Sequence, residues 1–380
     1  MAGDRVRTGD GAGRGCRSAR AVGPGARRSG SLRWKTGRLI AESALGQDRS
    51  APLTAAGGLV CAADSGALYA LSADRGIRKS TYGLGTDAAE TTAPTVEGQV
   101  VYVGADNSVH AVRATTGKRL WTLHTDDDDL GVGQPIFRDG ALYTVGYRAH
   151  SHSLYKVSAR TGDIVWKKTE ESLERFAGSS GATVAVAGDT VYTHNGSVVQ
   201  AWQADSGRVR WQRDTGDTLS LQDGPVVAGG RWFACASDTV SDVRYVYALA
   251  ADTGKELWKA RFAGAMDTDS DIEGVQAVSG GVALLYTGPN APDAGLRALD
   301  TETGKVKWER RFDSSVLSPP ATAGGRVYIA ADSVLYVLRA DTGKTEWRST
   351  LDALARQRPV IAGGTVYFSA PTGKIYAVWA

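Results

Sequence analysis

The chain is poor in several residue types that mark particular protein classes. It has three cysteines in 380 residues, Cys16, Cys61 and Cys235, far apart and with no Cys-x-x-Cys spacing. That excludes a disulfide framework and a thiolate zinc site. Five histidines and the absence of His-Glu-x-x-His, P-loop and Gly-x-Ser-x-Gly patterns remove the commonest metalloprotease, nucleotide and hydrolase signatures. No apolar run approaches the length of a membrane span. Long helix-forming segments are few, whereas glycine is abundant at 47 residues, which points to many short strands and turns.

Charge is unevenly placed. Residues 1–33 hold eight Arg against Asp4 and Asp10, which leaves 36 basic and 39 acidic side chains for the rest. The net +3 therefore belongs to the first segment, and the body is mildly acidic and carries no nucleic-acid footprint. Residues 1–29, rich in Arg, Gly and Ala without an apolar face, are expected to form a disordered tail ahead of a domain over 30–380. Arg27-Arg28 is followed by no apolar stretch, so no leader is expected and the cytoplasm is the default compartment, an extracytoplasmic one following if the start is mis-set or the chain is a fragment.

What the chain does have is a repeat. The stretch Ala111-Val-Arg-Ala-Thr-Thr-Gly-Lys-Arg-Leu-Trp121 recurs, with Trp four places after Gly in the pairs Gly30–Trp34, Gly117–Trp121, Gly162–Trp166, Gly207–Trp211, Gly254–Trp258, Gly304–Trp308 and Gly343–Trp347. An eighth copy at Gly76 has Ser80 in the Trp place. Successive glycines lie 39 to 50 residues apart, the period of propeller blades. Each Gly supplies the positive φ of a hairpin turn, and each Trp is read as a structural wedge between blades. Trp202, outside the motif, has no wedge role, and its removal need not cost stability.

Between one Trp and the next, three more strands are punctuated by Pro and Gly-Gly turns, as in Val100-Val-Tyr-Val103 and Leu335-Tyr-Val-Leu338. The expected fold is all-β: an eight-bladed propeller of four-stranded antiparallel blades, with seven blades as the alternative. The ring is expected to close by pairing N- and C-terminal strands, Leu32-Arg33-Trp34 lying beside Ile375–Val378.

The motif, preceded by Val-Tyr-Val-Gly and Leu-Tyr-Ala-Leu segments, resembles the repeats of pyrroloquinoline-quinone (PQQ) type propellers over residues 30–380. That family includes quinoprotein alcohol dehydrogenases, a propeller lipoprotein of outer-membrane assembly and propellers attached to bacterial kinases. The dehydrogenase branch implies PQQ, Ca²⁺ and an adjacent Cys pair, and Cys61 and Cys235 are not adjacent. The resemblance therefore implies a non-catalytic, monomeric scaffold or sensor for a protein, peptide or small ligand, with no cofactor. A PQQ- and Ca²⁺-dependent oxidoreductase is the alternative.

Loops entering the blades share a face with each blade's middle turn. Their acidic residues, Asp126, Asp127, Asp128, Asp129, Glu170, Glu171, Asp214, Asp217 and Glu273, are the candidate binding-face residues, read as solvated and as giving one rim a negative field. Asp267, Asp269 and Asp271 have the alternation of a calcium loop, but Ile272 and Val278 stand where an EF-hand needs Gly and Glu. His150-Ser-His152 is a possible metal pair without a visible third ligand, and His110, His124 and His194 are isolated in sequence.

Overall fold

The structure is a computed structural model that describes residues 39–44 and 52–379, except 65, 86–90, 127–128, 148–150, 172–183, 196, 217, 220–223, 238–243, 263–271, 288–294, 315–316, 352–353 and 372. Eight antiparallel sheets of the four-stranded pattern succeed one another along the chain. Blade 1 holds Leu53–Ala56, Leu59–Asp64, Ala67–Ser72 and Arg78–Gly83. Blades 2 to 7 repeat this order and end on outer strands Lys118–His124, Ile164–Glu171, Val209–Asp214, Glu256–Phe262, Val306–Arg311 and Thr345–Thr350. Blade 8 runs Val360–Ala362, Thr365–Ser369, Lys374–Trp379 and takes its outer strand, Leu39–Ala44, from the other end of the chain. Each innermost strand touches the next around the circle, including Leu53–Ala56 against Val360–Ala362, so the ring is closed.

The strand chemistry explains the layering. Second strands such as Val100–Ala105 and Thr365–Ser369 lie between neighbouring blades and bury nearly every side chain. Outer strands alternate half-buried and exposed residues because one face meets water. In five blades the turn between first and second strands is a Gly-Gly pair such as Gly229-Gly230, φ 57° and 72°, and in blade 3 Asp139, φ 48°, takes the first place before Gly140.

The wedge reading holds for the motif tryptophans whose surroundings are described. The indole N–H of Trp121, Trp166, Trp211, Trp258 and Trp308 donates to the backbone carbonyl of Ala159, Ala204, Ala251, Thr301 and Ala340 of the following blade, at 2.9–3.2 Å. Each ring lies flat on the following blade's turn glycine. A Cβ at Gly254 would sit 2.5 Å from Trp211 Cε3, and one at Gly343 2.6 Å from Trp308 Cε3. The glycine thus serves both the φ of the turn, 68° at Gly254, and the close approach of the indole. Ser80, in the Trp place of blade 1, keeps the partner: its hydroxyl donates to Ala114 O. Trp347 packs against the core between blades 7 and 8.

Two expectations are corrected. The closing strand is Leu39–Ala44, not Leu32–Trp34, and the residue opposite Ala377 is Ala41. In other blades that register position belongs to the wedge, as in Ala111 opposite Trp121 and Ala201 opposite Trp211. The copy that serves blade 8 is therefore Thr36-Gly37-Arg38-Leu39-Ile40-Ala41, in place of Gly30–Trp34, with Ala in the Trp place. Trp34 lies outside the described residues. Trp202 is not dispensable in packing: it is 4% exposed, more buried than the wedges, and donates to Thr193 Oγ1 at 2.9 Å.

Candidate functional site

The loops entering the blades and the middle turns of the blades form one face, and several of its described polar residues on blades 2 to 4 contact one another. Asp126 and Asp129 follow the outer strand of blade 2, where a turn closes from Asp129 N–H to Asp126 O at 2.9 Å. Asp126 is ion-paired with Lys167 of blade 3. Asp129 is 6% exposed and accepts from the Tyr155 hydroxyl at 3.0 Å. Burial, followed by the neighbouring Asp129 carboxylate, holds the Tyr155 phenol well above its ordinary range. Glycine at 146 makes room for this arrangement, since a Cβ there would lie 2.2 Å from Asp129 Oδ2. The expectation of a solvated acidic loop fails for these two residues: Asp126 is half-buried in its pair and Asp129 is inside.

A second group joins blades 3 and 4. Glu170, at the end of blade 3's outer strand, accepts from Gln200 Nε2 of blade 4 at 2.5 Å, and His152 Nε2 is 3.8 Å from its other oxygen. Burial raises the Glu170 carboxyl above its ordinary value. His152 is 3% exposed, and burial lowers it to about 4. His194, on the second strand of blade 4, is likewise lowered to about 4, by burial first and by His152 second. Both imidazoles are therefore neutral at pH 7. The other isolated histidines also have partners: His124 Nδ1 is 2.9 Å from Ser108 Oγ, and His110 Nδ1 is 3.3 Å from Tyr82 and from Thr122.

The remaining candidates do not come together. Asp214 is exposed and accepts from Gly216 N–H at 2.9 Å, so it caps its own turn, and its side-chain bond to Ser197 helps hold it below the usual carboxylate range. Glu171 and Glu273 lie in strands, their side chains outside the description. Asp127, Asp128, Asp217, Asp267, Asp269, Asp271 and His150 fall outside the described residues. Among the described residues, no three His, Cys, Asp or Glu are grouped to hold a metal. Cys61 and Cys235 are both buried, in blades 1 and 5, and burial pushes the Cys61 thiol up to about 12. They cannot supply the neighbouring pair that the resemblance implies for a quinone, so the cysteines present do not fit that group.

Sequence reasoning missed Lys167, Tyr155, His194 and Gln200 as members of this face. Their partners are 26 to 41 residues away for the first two, across a blade boundary or along the next loop. The readable signal was spacing: Asp129 and Glu170 both stand where an outer strand hands over to the next blade. Two large apolar side chains on entering loops, Leu130 at 61% exposure before blade 3 and Leu354 at 38% before blade 8, were also not singled out.

The family described as outer membrane protein assembly factor BamB, the PQQ_2 repeat, matches residues 20–146, 128–243 and 242–380. The chain belongs to this family. It is 27% identical over 240 residues to outer membrane protein assembly factor BamB of Yersinia pestis, covering 58% of this chain and 56% of that protein. It is 28% identical over 194 residues to the serine/threonine-protein kinase AfsK of Streptomyces griseus, covering 49% of this chain and 22% of the kinase. It is 29% identical over 150 residues to the quinohemoprotein alcohol dehydrogenase ADH-IIG of Pseudomonas putida, covering 37% of this chain and 20% of the enzyme. The crystal structure of BamB from Moraxella catarrhalis superposes with a TM-score of 0.67 at 14% identity, covering 91% of this chain and 98% of that one, and supports the fold alone. The chain spans a little over half the length of the BamB of Yersinia pestis that it matches.

Proposed function

We propose that this BamB-family propeller is a non-catalytic scaffold that presents the loop face of blades 2 to 4 to a protein or peptide partner. The supporting observation is how the polar groups of that face are used. Asp126 with Lys167 and Glu170 with Gln200 are tied across blade boundaries, while Asp129 with Tyr155 and His152 with Glu170 join the entering loop and outer strand to blade 3. Such cross-blade ties rigidify a surface, and burial keeps His152 and His194 neutral at pH 7. Beside them stands Leu130, an exposed apolar side chain on the loop entering blade 3. The BamB relatives make an assembly role the leading form of this reading.

A photo-crosslinking residue at Leu130, compared with one at Leu257 on the outer wall, tests it in cells of the source organism. Discrete protein adducts from position 130 and none from 257 are expected; equal labelling from both would refute the face. The alternative, quinone-dependent oxidation, has the alcohol dehydrogenase relative in its favour. Dye-linked alcohol oxidation upon adding PQQ and Ca²⁺ to the purified chain would establish it.

A further inference from the structure

The outer strands of blades 4 and 6 carry an arginine at the same place, and only one of the two has a carboxylate partner. Arg213 and Arg310 each stand two residues after the wedge, Trp211 and Trp308, and each reaches the following blade. Arg213 donates to Glu256 of blade 5 at 3.1 Å, and Glu256 stands two residues after the turn glycine, Gly254. The matching place in blade 7 is Thr345, two residues after Gly343; Glu256 and Thr345 lie opposite equivalent leucines, Leu249 and Leu338. Arg310 therefore lacks the carboxylate and donates from Nη1 to Gly343 O at 3.2 Å. Its half-buried guanidinium lies 5.1 Å and 5.3 Å from the ring centroids of Phe312 and Tyr336, and its Nε, shut off from water, has no acceptor. Tyr336 packs against the core between blades 6 and 7, and the exposed Arg348 stands opposite it on the outer strand of blade 7, on the same face. The carboxylates nearby are engaged or apart: Glu309 pairs with Arg297 at 2.6 Å, Glu346 with Arg326 at 2.6 Å, and the exposed Asp313 is ion-paired with neither Arg310 nor Arg348.

We propose that the groove between the outer strands of blades 6 and 7 docks an acidic side chain of a partner protein, its carboxylate lying between Arg310 and Arg348. The Arg213–Glu256 pair shows what this position takes when the partner is built into the chain: a carboxylate on the guanidinium. A guanidinium stacked on aromatic rings is weakly hydrated, so it exchanges water for a carboxylate more readily than an ammonium does. A neutral amide would leave both charges uncompensated, and a cationic side chain would be repelled. The inference stands apart from the proposed loop-face scaffold, because none of these residues belongs to the face of blades 2 to 4.

The test is NMR of the arginine Nε–H signals of the full chain, those of Arg310 and Arg348 being assigned with Arg310→Lys and Arg348→Gln. The chain is titrated at low salt with a blocked peptide of alternating glutamate and glycine. Larger shifts at these two signals than at the other arginines are expected, with a dissociation constant of about 1 mM and roughly fivefold or weaker binding of the glutamine counterpart. Thr345→Glu should weaken binding by a similar factor, because it supplies from within the chain the carboxylate that Glu256 gives Arg213. Shifts no larger than those of the other arginines, or an affinity unchanged in both Thr345→Glu and Arg348→Gln, would overturn the proposal. Succinate or inorganic phosphate binding as tightly as the peptide would overturn the protein source. Binding that appears only in Asp313→Asn would show a groove neutralised from within the chain and would overturn it as well.

Discussion

The contact between each wedge and the next turn can be isolated by a double-mutant cycle. Gly254 has φ 68°, and a Cβ there would meet Trp211 Cε3 at 2.5 Å; Gly230 has φ 72° with nothing within 4 Å of such a Cβ. Gly230→Ala therefore measures the left-handed backbone penalty alone, about 1–2 kcal/mol. Gly254→Ala adds an overpacking cost of about 1–3 kcal/mol, because the indole is pinned by its 3.0 Å bond to Ala251 O and cannot swing away freely. In the Trp211→Ala background this excess should vanish, leaving Gly254→Ala as costly as Gly230→Ala. Urea denaturation of the cycle's four proteins, with Gly230→Ala as a fifth, reads the coupling directly, provided unfolding is two-state. A cycle that closes additively, within about 0.5 kcal/mol, would refute the claim that the tryptophans pack on the turn glycines.

Other outcomes follow from the same contacts. Trp211→Ala and Trp202→Ala should each cost about 3–5 kcal/mol in denaturation, the second in spite of its place outside the repeat. Tyr155→Phe should cost about 1–3 kcal/mol by leaving the buried Asp129 carboxylate short of a donor, and Asn at 129 should recover part of the loss. His152 and His194 have folded values near 4, below the unfolded value of 6.5, so the unfolded chain binds their protons first. Stability should therefore fall as pH drops from about 6.5 and level off below about 4, offset in part by Glu170, whose raised value acts in the opposite sense. A His152→Gln, His194→Gln double variant should flatten that fall; an unchanged pH profile would contradict the assignment.

The blade count and blade composition were legible because the repeat encodes them locally: turn glycine, β-branched strand and wedge all lie within eleven residues. The closing strand was misread for the same reason. A search keyed to tryptophan stops at Trp34, whereas Thr36-Gly37-Arg38 carries the turn and Ala41 has lost the wedge. The acidic face was legible as a location and not as a state. Nothing near Asp129 in sequence announces that Tyr155 covers it, and nothing near His194 announces His152, because blade stacking brings them together only after the ring forms. Trp202 was undervalued because its burial comes from its neighbouring blade rather than from its own motif.

The central claim is a circle of blades sealed by strand Leu39–Ala44 against Lys374–Trp379. Hydrogen exchange read by mass spectrometry on the intact chain tests it without any substitution. The peptide spanning 39–44 should retain about half its amides for minutes to hours, as a strand paired along one edge does, and should lose them together with the peptide spanning 374–379 as denaturant is raised. Complete exchange of 39–44 within seconds, beside a protected 374–379, would contradict the closure.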